Sequence, residues 1–313
     1  MLDPTDLLVL LKRLSIGGQV DPAVINCGRY GVFLALQDVV DRHGLTSVLS
    51  LRRMMEATRC IISGSYALLA FHPGAFEAGD LDLYVPLDSR GAVIAYFERA
   101  GFSITESTPD YAYLSPTIRS LDRLTSTWPT SAIDIVYTSG ASPLKAIAEF
   151  HSTLLMNAIT SSTAISFYPD LTLRRIGLTN YGLPSVGPAV FKKYRHRGFR
   201  IEGCLDLFDE LEDHMCTVDR SCPSTTRSIH DHGVLSIPLD CAEDLSSNTP
   251  TTLVWKLANA SCFPGEPDGF TLGPKGDLCE FSILHLIFIN YIICSSAGDT
   301  SIDSGSPNRR VRP

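Results

Sequence analysis

CIISGSYALLAFHPGAFEAGDLDLYV, residues 60–85, holds three signals in a row. The β-branched run Cys60-Ile61-Ile62 enters Ser63-Gly64-Ser65, which predicts a short strand and a tight turn. Tyr66 to Phe71 predicts a short helix, and Leu81 to Val85 alternates as a strand. On that strand Asp80 and Asp82 point the same way, about 7 Å apart, while Leu81 and Leu83 point into a core. A third acid, Asp134, lies in Ala132 to Tyr137 (AIDIVY), flanked by Ile133 and Ile135 in another expected strand. Acids in or at the ends of buried strands need compensating charge, because unpaired burial costs several kcal/mol each. If the strands are neighbours, a divalent cation between the carboxylates is the economical answer, and oxygen-only ligands suit Mg²⁺ or Mn²⁺. Gly64 allows close backbone approach at the turn. Ser65 adds a hydroxyl, and the amides opening the next helix suit a phosphate oxygen.

Outward from this stretch the pattern is α/β. Before it, Leu7, Leu8, Leu10, Leu11 and Leu14 cluster on one helical face. A second helix runs from about Tyr30 to His43, stopped by Gly44, and a third covers Ser47 to Thr58. After it, Asp88 or Ser89 caps a helix carrying Val93, Ile94 and Phe97, closed by Gly101. Phe102 to Thr105 and Tyr111 to Ile118 predict strands. Ser142-Pro143 opens a long helix whose apolar stripe is Leu144, Ile147, Ala148, Leu154, Leu155 and Ala158. Beyond Ser221 loop-forming residues dominate. The expected organisation is a helical region 1–57, an α/β core with following helices 58–215, an irregular region 216–298 and a disordered tail 299–313.

ISGS (Ile62 to Ser65), DLDLY (Asp80 to Tyr84) and IDI (Ile133 to Ile135), in this order, resemble the signature of the nucleotidyltransferase superfamily with the polymerase-β-like fold. The chain also resembles a fungal group carrying this core, in which stretches like FHSTLLMNAIT and KYRHRGFRI recur. The resemblance spans roughly residues 60–200. It implies a mixed-sheet core with flanking helices and two-metal phosphoryl transfer from a nucleoside triphosphate to a hydroxyl. Asp80 and Asp82 would bind both metals. Asp134 would bind the catalytic one and help deprotonate the attacking hydroxyl. Gly64 and Ser65 would hold the triphosphate. One departure is the fourteen-residue gap from Ser65 to Asp80, long for the family, containing HPGAFEAG. A catalytically silent nucleotide- or protein-binding module is the alternative, since a fold does not secure its function.

Lys192-Lys193-Tyr194-Arg195-His196-Arg197-Gly198-Phe199-Arg200 is a dense basic run in a chain of net charge −8. On a helix Lys193 and Arg197 share one face, and Lys192, Arg195 and His196 another. The run either holds triphosphate or an RNA acceptor, with Tyr194 or Phe199 as a stacking surface, or is a solvated face beside Glu202, Asp206, Asp209 and Glu210. His214, Cys216, Cys222, His230 and His232 are potential zinc ligands whose spacing matches no common finger. His151 reads as a packing or capping residue.

Composition sets the frame. The chain has 313 residues, 44% of them hydrophobic and 19% charged; mean hydropathy is +0.11. This supports a buried core and excludes wholesale disorder. The acidic balance argues against a broad electrostatic grip on nucleic acid, leaving room for a local basic strip. Nine scattered cysteines without a CxxC pair, and acids ahead of the first apolar run, predict reduced thiols in a cytoplasmic or nuclear protein. Phe281 to Cys294 is apolar but shorter than the roughly 18 residues of a membrane span, and reads as a buried or tail-end segment. The expected partners are thus a nucleoside triphosphate and an RNA or protein acceptor, without a membrane.

Overall fold

The structure, a computed structural model, describes residues 22–108, 117–127, 130–180, 188–202, 218–240 and 253–257. The expected helix around Leu7–Leu14, most of the strand expected from Tyr111, the segment Phe281–Cys294 and the tail 299–313 lie outside the described residues, as do His214 and Cys216. In chain order the elements begin with α1 (Pro22–Arg42), α2 (Val48–Thr58), β1 (Ile61–Ile62), α3 (Gly64–Phe71) and β2 (Leu81–Pro86). Next come α4 (Arg90–Arg99), β3 (Ser103–Thr108), β4 (Ile118–Thr127), β5 (Thr130–Thr138) and α5 (Leu144–Ala148). Then follow β6 (Asn157–Ile159), β7 (Thr163–Ser166), α6 (Pro169–Leu173), β8 (Ile176–Leu178), α7 (Pro188–His196) and β9 (Arg200–Glu202). The series ends with β10 (Arg227–Ser228), β11 (Leu235–Pro238) and β12 (Val254–Trp255).

The fold is a mixed α/β core. Eight strands form one sheet in the order β11-β7-β6-β1-β2-β5-β4-β3. Of its pairings only β2 with β5 is parallel, registering Leu81 on Ile133, Asp82 on Asp134 and Leu83 on Ile135. Alternation along these strands sorts side chains to two faces. Leu81, Leu83, Val85, Ile133, Ile135 and Tyr137 pack under the helical layer with Val32, Leu36, Met55 and Phe97. Tyr84 and Val136 point the other way, into a second core with Phe150, Leu154, Phe167 and Tyr194. Each fully buried aliphatic side chain contributes about 1.5–3 kcal/mol, so both faces of the central strands are anchored. Asp82 and Asp134 have the parity of Tyr84 and Val136, and therefore open on the face away from α1 and α2.

Local chemistry sets the ends. Ser47 caps α2 by accepting from the Ser50 amide at 3.1 Å. Gly44 (φ 60°) and Gly101 (φ 89°) end helices in the left-handed region, as their positions predict. The cap expected at Asp88 or Ser89 does not form. The Asp88 carboxylate accepts from Arg59, the Ser89 hydroxyl donates to Asp88, and a 3₁₀ turn, Leu87–Ser89, leads into α4.

The helix expected from Ser142 through Ala158 is corrected: α5 ends at Ala148. The chain then peels away, with the Asn180 amide donating to the His151 carbonyl at 2.7 Å and Ser152 bridging Thr179. A 3₁₀ turn (Thr153–Leu155), capped by the Ser152 hydroxyl, precedes β6, which lies between β1 and β7. Residues 150–159 are buried throughout, and a run buried on every side carries no period to separate strand from helix. The sheet also takes its edge strand β11 from within the region expected to be irregular. No helix among the described residues is long and apolar enough to cross a membrane.

Candidate active site

The site begins at the β1–α3 turn. Ser63 continues the ladder, its amide donating to the Asp82 carbonyl at 3.0 Å, while its hydroxyl donates to the Asn157 carbonyl at 2.7 Å. Gly64 follows with φ 61°, a conformation L side chains rarely adopt. A Cβ at this position would run into the Asp82 carboxylate. The glycine is therefore required twice, by the backbone angle and by the acid lying over it. Ser65, in the first turn of α3, is buried beside the amides that a helix start leaves without intrahelical partners.

Asp82 is 6% exposed, and its Oδ1 is buried with no hydrogen-bond partner. Burial, then the neighbouring charges of Asp134 and Asp80, raise its pKa well above the carboxylate range; Lys193 pulls in the other direction. Asp134 is 1% exposed, and burial raises it to about 6 against the opposing pull of Arg123. The strand register explains the grouping. Asp82 on β2 sits beside Asp134 on β5, Asp134 opposes Arg123 on β4, and Arg123 opposes Glu106 on β3. Four charged side chains thus form one row across four adjacent strands. Arg123 Nη1 donates to both oxygens of Asp134 at 3.0 and 2.9 Å, and its Nη2 reaches Asp80 Oδ2 at 3.4 Å.

The basic run covers the same face from α7 and the turn after it. Arg197 Nη1 donates to the Ser65 hydroxyl at 2.9 Å and Nη2 to the Glu77 carbonyl at 3.0 Å. Its guanidinium lies 4.3 Å from the Phe76 ring centroid. Lys193 is half-buried and within electrostatic reach of Asp82, whereas Lys192, Arg195 and His196 are exposed. The two faces expected of the run are both present: Lys193 and Arg197 turn inward, Lys193 toward Asp82 and Arg197 onto Ser65, and the others face solvent.

One expectation is corrected. Tyr194 and Phe199 are each 2% exposed and belong to the core, so neither offers a stacking surface; Phe76 stacks on Arg197 instead. The HPGAFEAG loop is fastened to the core. His72 Nε2 bonds the Thr172 carbonyl at 2.8 Å, and Phe76 packs edge-on against Phe199. Among the described zinc candidates Cys222 is buried, His230 and His232 are exposed, and Asp231 between them is taken by Arg227. His151 is wholly buried, a packing residue as expected.

Sequence reading missed Arg123 and Glu106. The signal available was a cation beside Asp122 in LDRLT, between Leu121 and Leu124. Placing it against Asp134 requires the β4–β5 register, which no local pattern supplies.

The fit to a divalent cation is uneven along the row. The unpartnered Oδ1 of Asp82, whose Oδ2 lies over the Gly64 turn, is a hard, buried donor of the kind such a cation takes. Asp134 and Asp80 are already engaged by Arg123. Among the described residues no group of three or more His, Cys, Asp or Glu side chains is arranged to hold a metal ion. A cation fits at Asp82. The three-carboxylate arrangement is, as it stands, an acid–arginine cluster.

Comparison with known proteins adds little. No family model matches the chain, and no curated protein does. A solved structure described as a complex of a CCA-adding enzyme with CTP is similar with a TM-score of 0.34 and 16% identity. The match covers 64% of this chain and 43% of that one, so the chain spans less than half of that neighbour. A likeness this weak fixes neither fold nor function.

Proposed function

We propose that the protein is a nucleotidyltransferase that, with Mg²⁺ or Mn²⁺, moves a nucleotidyl group from a nucleoside triphosphate to a hydroxyl acceptor. The observation that carries this reading is the Asp82 carboxylate: buried, with one oxygen unpartnered, over a Gly-Ser helix start and opposite Lys193. In the reaction a bond forms between the acceptor oxygen and the α-phosphorus, the α–β phosphoanhydride bond breaks, and pyrophosphate leaves. A divalent cation bound at the acids supplies charge stabilisation for the attacking and leaving oxygens. In this reading Asp82 holds the cation, and the Ser65 hydroxyl with the first amides of α3 orients phosphate oxygens. Lys193 and Arg197 offset the triphosphate charge. Asp134 accepts the proton of the acceptor hydroxyl. The acceptor would be an RNA end or a hydroxyl of a protein or small molecule.

The Arg123–Asp134 ion pair favours a second reading, a module that binds nucleotide without turning it over, because a guanidinium on both carboxylate oxygens must be displaced before a cation or a proton reaches them. The experiment combines thermal shift with transfer of α-labelled phosphate, using the full chain, all four NTPs, and RNA or the protein itself as acceptor. Under the transferase reading, Mg²⁺ plus an NTP raises the melting temperature and label appears in acceptor. Asp82→Asn leaves the metal-free protein as stable or more so, abolishes most of the ligand-induced shift, and lowers transfer by orders of magnitude. Stabilisation without transfer selects the binding module. No response to Mg²⁺ with any NTP removes both readings, and a clearly destabilised metal-free Asp82→Asn makes Asp82 a structural residue.

A further inference from the structure

Arg123 stands where the cluster has most need of positive charge. Its side chain is only 12% exposed and bridges Asp134 and Asp80, while Asp82 Oδ1 is buried without a hydrogen-bond partner. A guanidinium does not lose its proton in a protein. The place it occupies is therefore vacated only by movement of the side chain. The register supplies a destination: Glu106 lies directly across from Arg123 on β3, on the exposed edge of the sheet and on the same face.

We propose that Arg123 is a resident counter-ion with two positions, on Asp134 and Asp80 when no metal is bound and toward Glu106 when a divalent cation takes those carboxylates. The inference rests on the metal-binding reading of the preceding subsection. It makes Arg123 a positioning residue that sets how tightly and how many cations bind. A cation entering at Asp82 Oδ1 displaces no hydrogen-bonded partner; one entering between Asp134 and Asp80 must displace a charge-assisted pair. Removing Arg123 removes the competitor, and removing the Glu106 charge removes the alternative partner.

Mn²⁺ binding to the full chain, followed by electron paramagnetic resonance and calorimetry without nucleotide, tests this independently of any activity. Arg123→Gln is expected to bind Mn²⁺ roughly tenfold more tightly than the wild type and to gain a second site. Glu106→Gln, a surface change that leaves the core untouched, is expected to weaken Mn²⁺ binding about two- to fivefold. Should Arg123→Gln fail to fold, the Glu106→Gln titration stands by itself: weakening supports the two positions, and unchanged affinity overturns them. Unchanged or weaker binding in a folded Arg123→Gln overturns the competition while leaving the metal site intact. Absence of Mn²⁺ binding in both wild type and Arg123→Gln removes the metal site and the inference together.

Discussion

At the scale of single residues, Gly64 concentrates the most constraint. Its left-handed angle alone disfavours any other residue by about 1–3 kcal/mol, and the Asp82 carboxylate occupies the space a Cβ would take. Gly64→Ala is expected to lower unfolding free energy by about 2–4 kcal/mol, since strain and displacement of Asp82 add. Urea denaturation measures it; a loss under about 0.5 kcal/mol would mean that the turn adapts freely. Gly64 was legible in the sequence because the strand–turn–helix pattern around it is local. The Arg123 pairing was not, because an arginine acquires meaning only once β4 is set in register against β5. The buried Asp122 makes the same point on the other face. It accepts from Arg90, Ser107 and Tyr137, three residues far from it in sequence, and no spacing announces that network.

At the scale of elements, the basic helix α7 separates function from solvation by face. Charge reversal at Lys193 and Arg197 is expected to weaken triphosphate binding at least tenfold, as two cations beside Asp82 and Ser65 become anions. Reversal at Lys192, exposed on the opposite face, should change it less than twofold; fluorescence titration with a labelled nucleotide reads both. Equal effects would return the run to a general electrostatic role. β2, β5 and the helices expected at Tyr30–His43 and Ser47–Thr58 were readable from sequence because one apolar face repeats against a polar or differently packed one, and β1 because its β-branched run enters Ser63-Gly64. Residues 144–159 were misread because their helical-looking stripe continues into a segment buried on all sides, where the bond from Asn180 to His151, not periodicity, bends the chain.

At the scale of the molecule, burial of ionisable groups shapes the response to pH. Burial lowers His43, His72 and His151 to about 4 each. In the unfolded chain they protonate near 6.5, so as pH falls from 6.5 to 4 each costs up to about 1.4 kcal/mol per pH unit. Asp134 and Asp82 act in the opposite sense. Raised above their unfolded value, they favour the fold while protonated and stop doing so as pH rises, through about 6 for Asp134. Three histidines outweigh the two acids, so stability climbs from pH 4 to about 6.5. Metal-free protein unfolded in urea across pH 4–8 should show that climb, and Asp82→Asn, by removing an opposing acid, should steepen it. A stability that falls between pH 4 and 6 would show that the buried acids outweigh the histidines. The sheet edge carries a different consequence. Arg29 donates to the carbonyls of Pro238 and Asp240, and Arg52 to the Ser161 carbonyl and the Asp240 carboxylate, so helices near the start of the chain clasp a strand more than 180 residues later. On the ribosome those helices emerge long before their strand, and β7 waits with a bare edge of amides and carbonyls, open to pairing with another nascent chain until Leu235–Pro238 arrives.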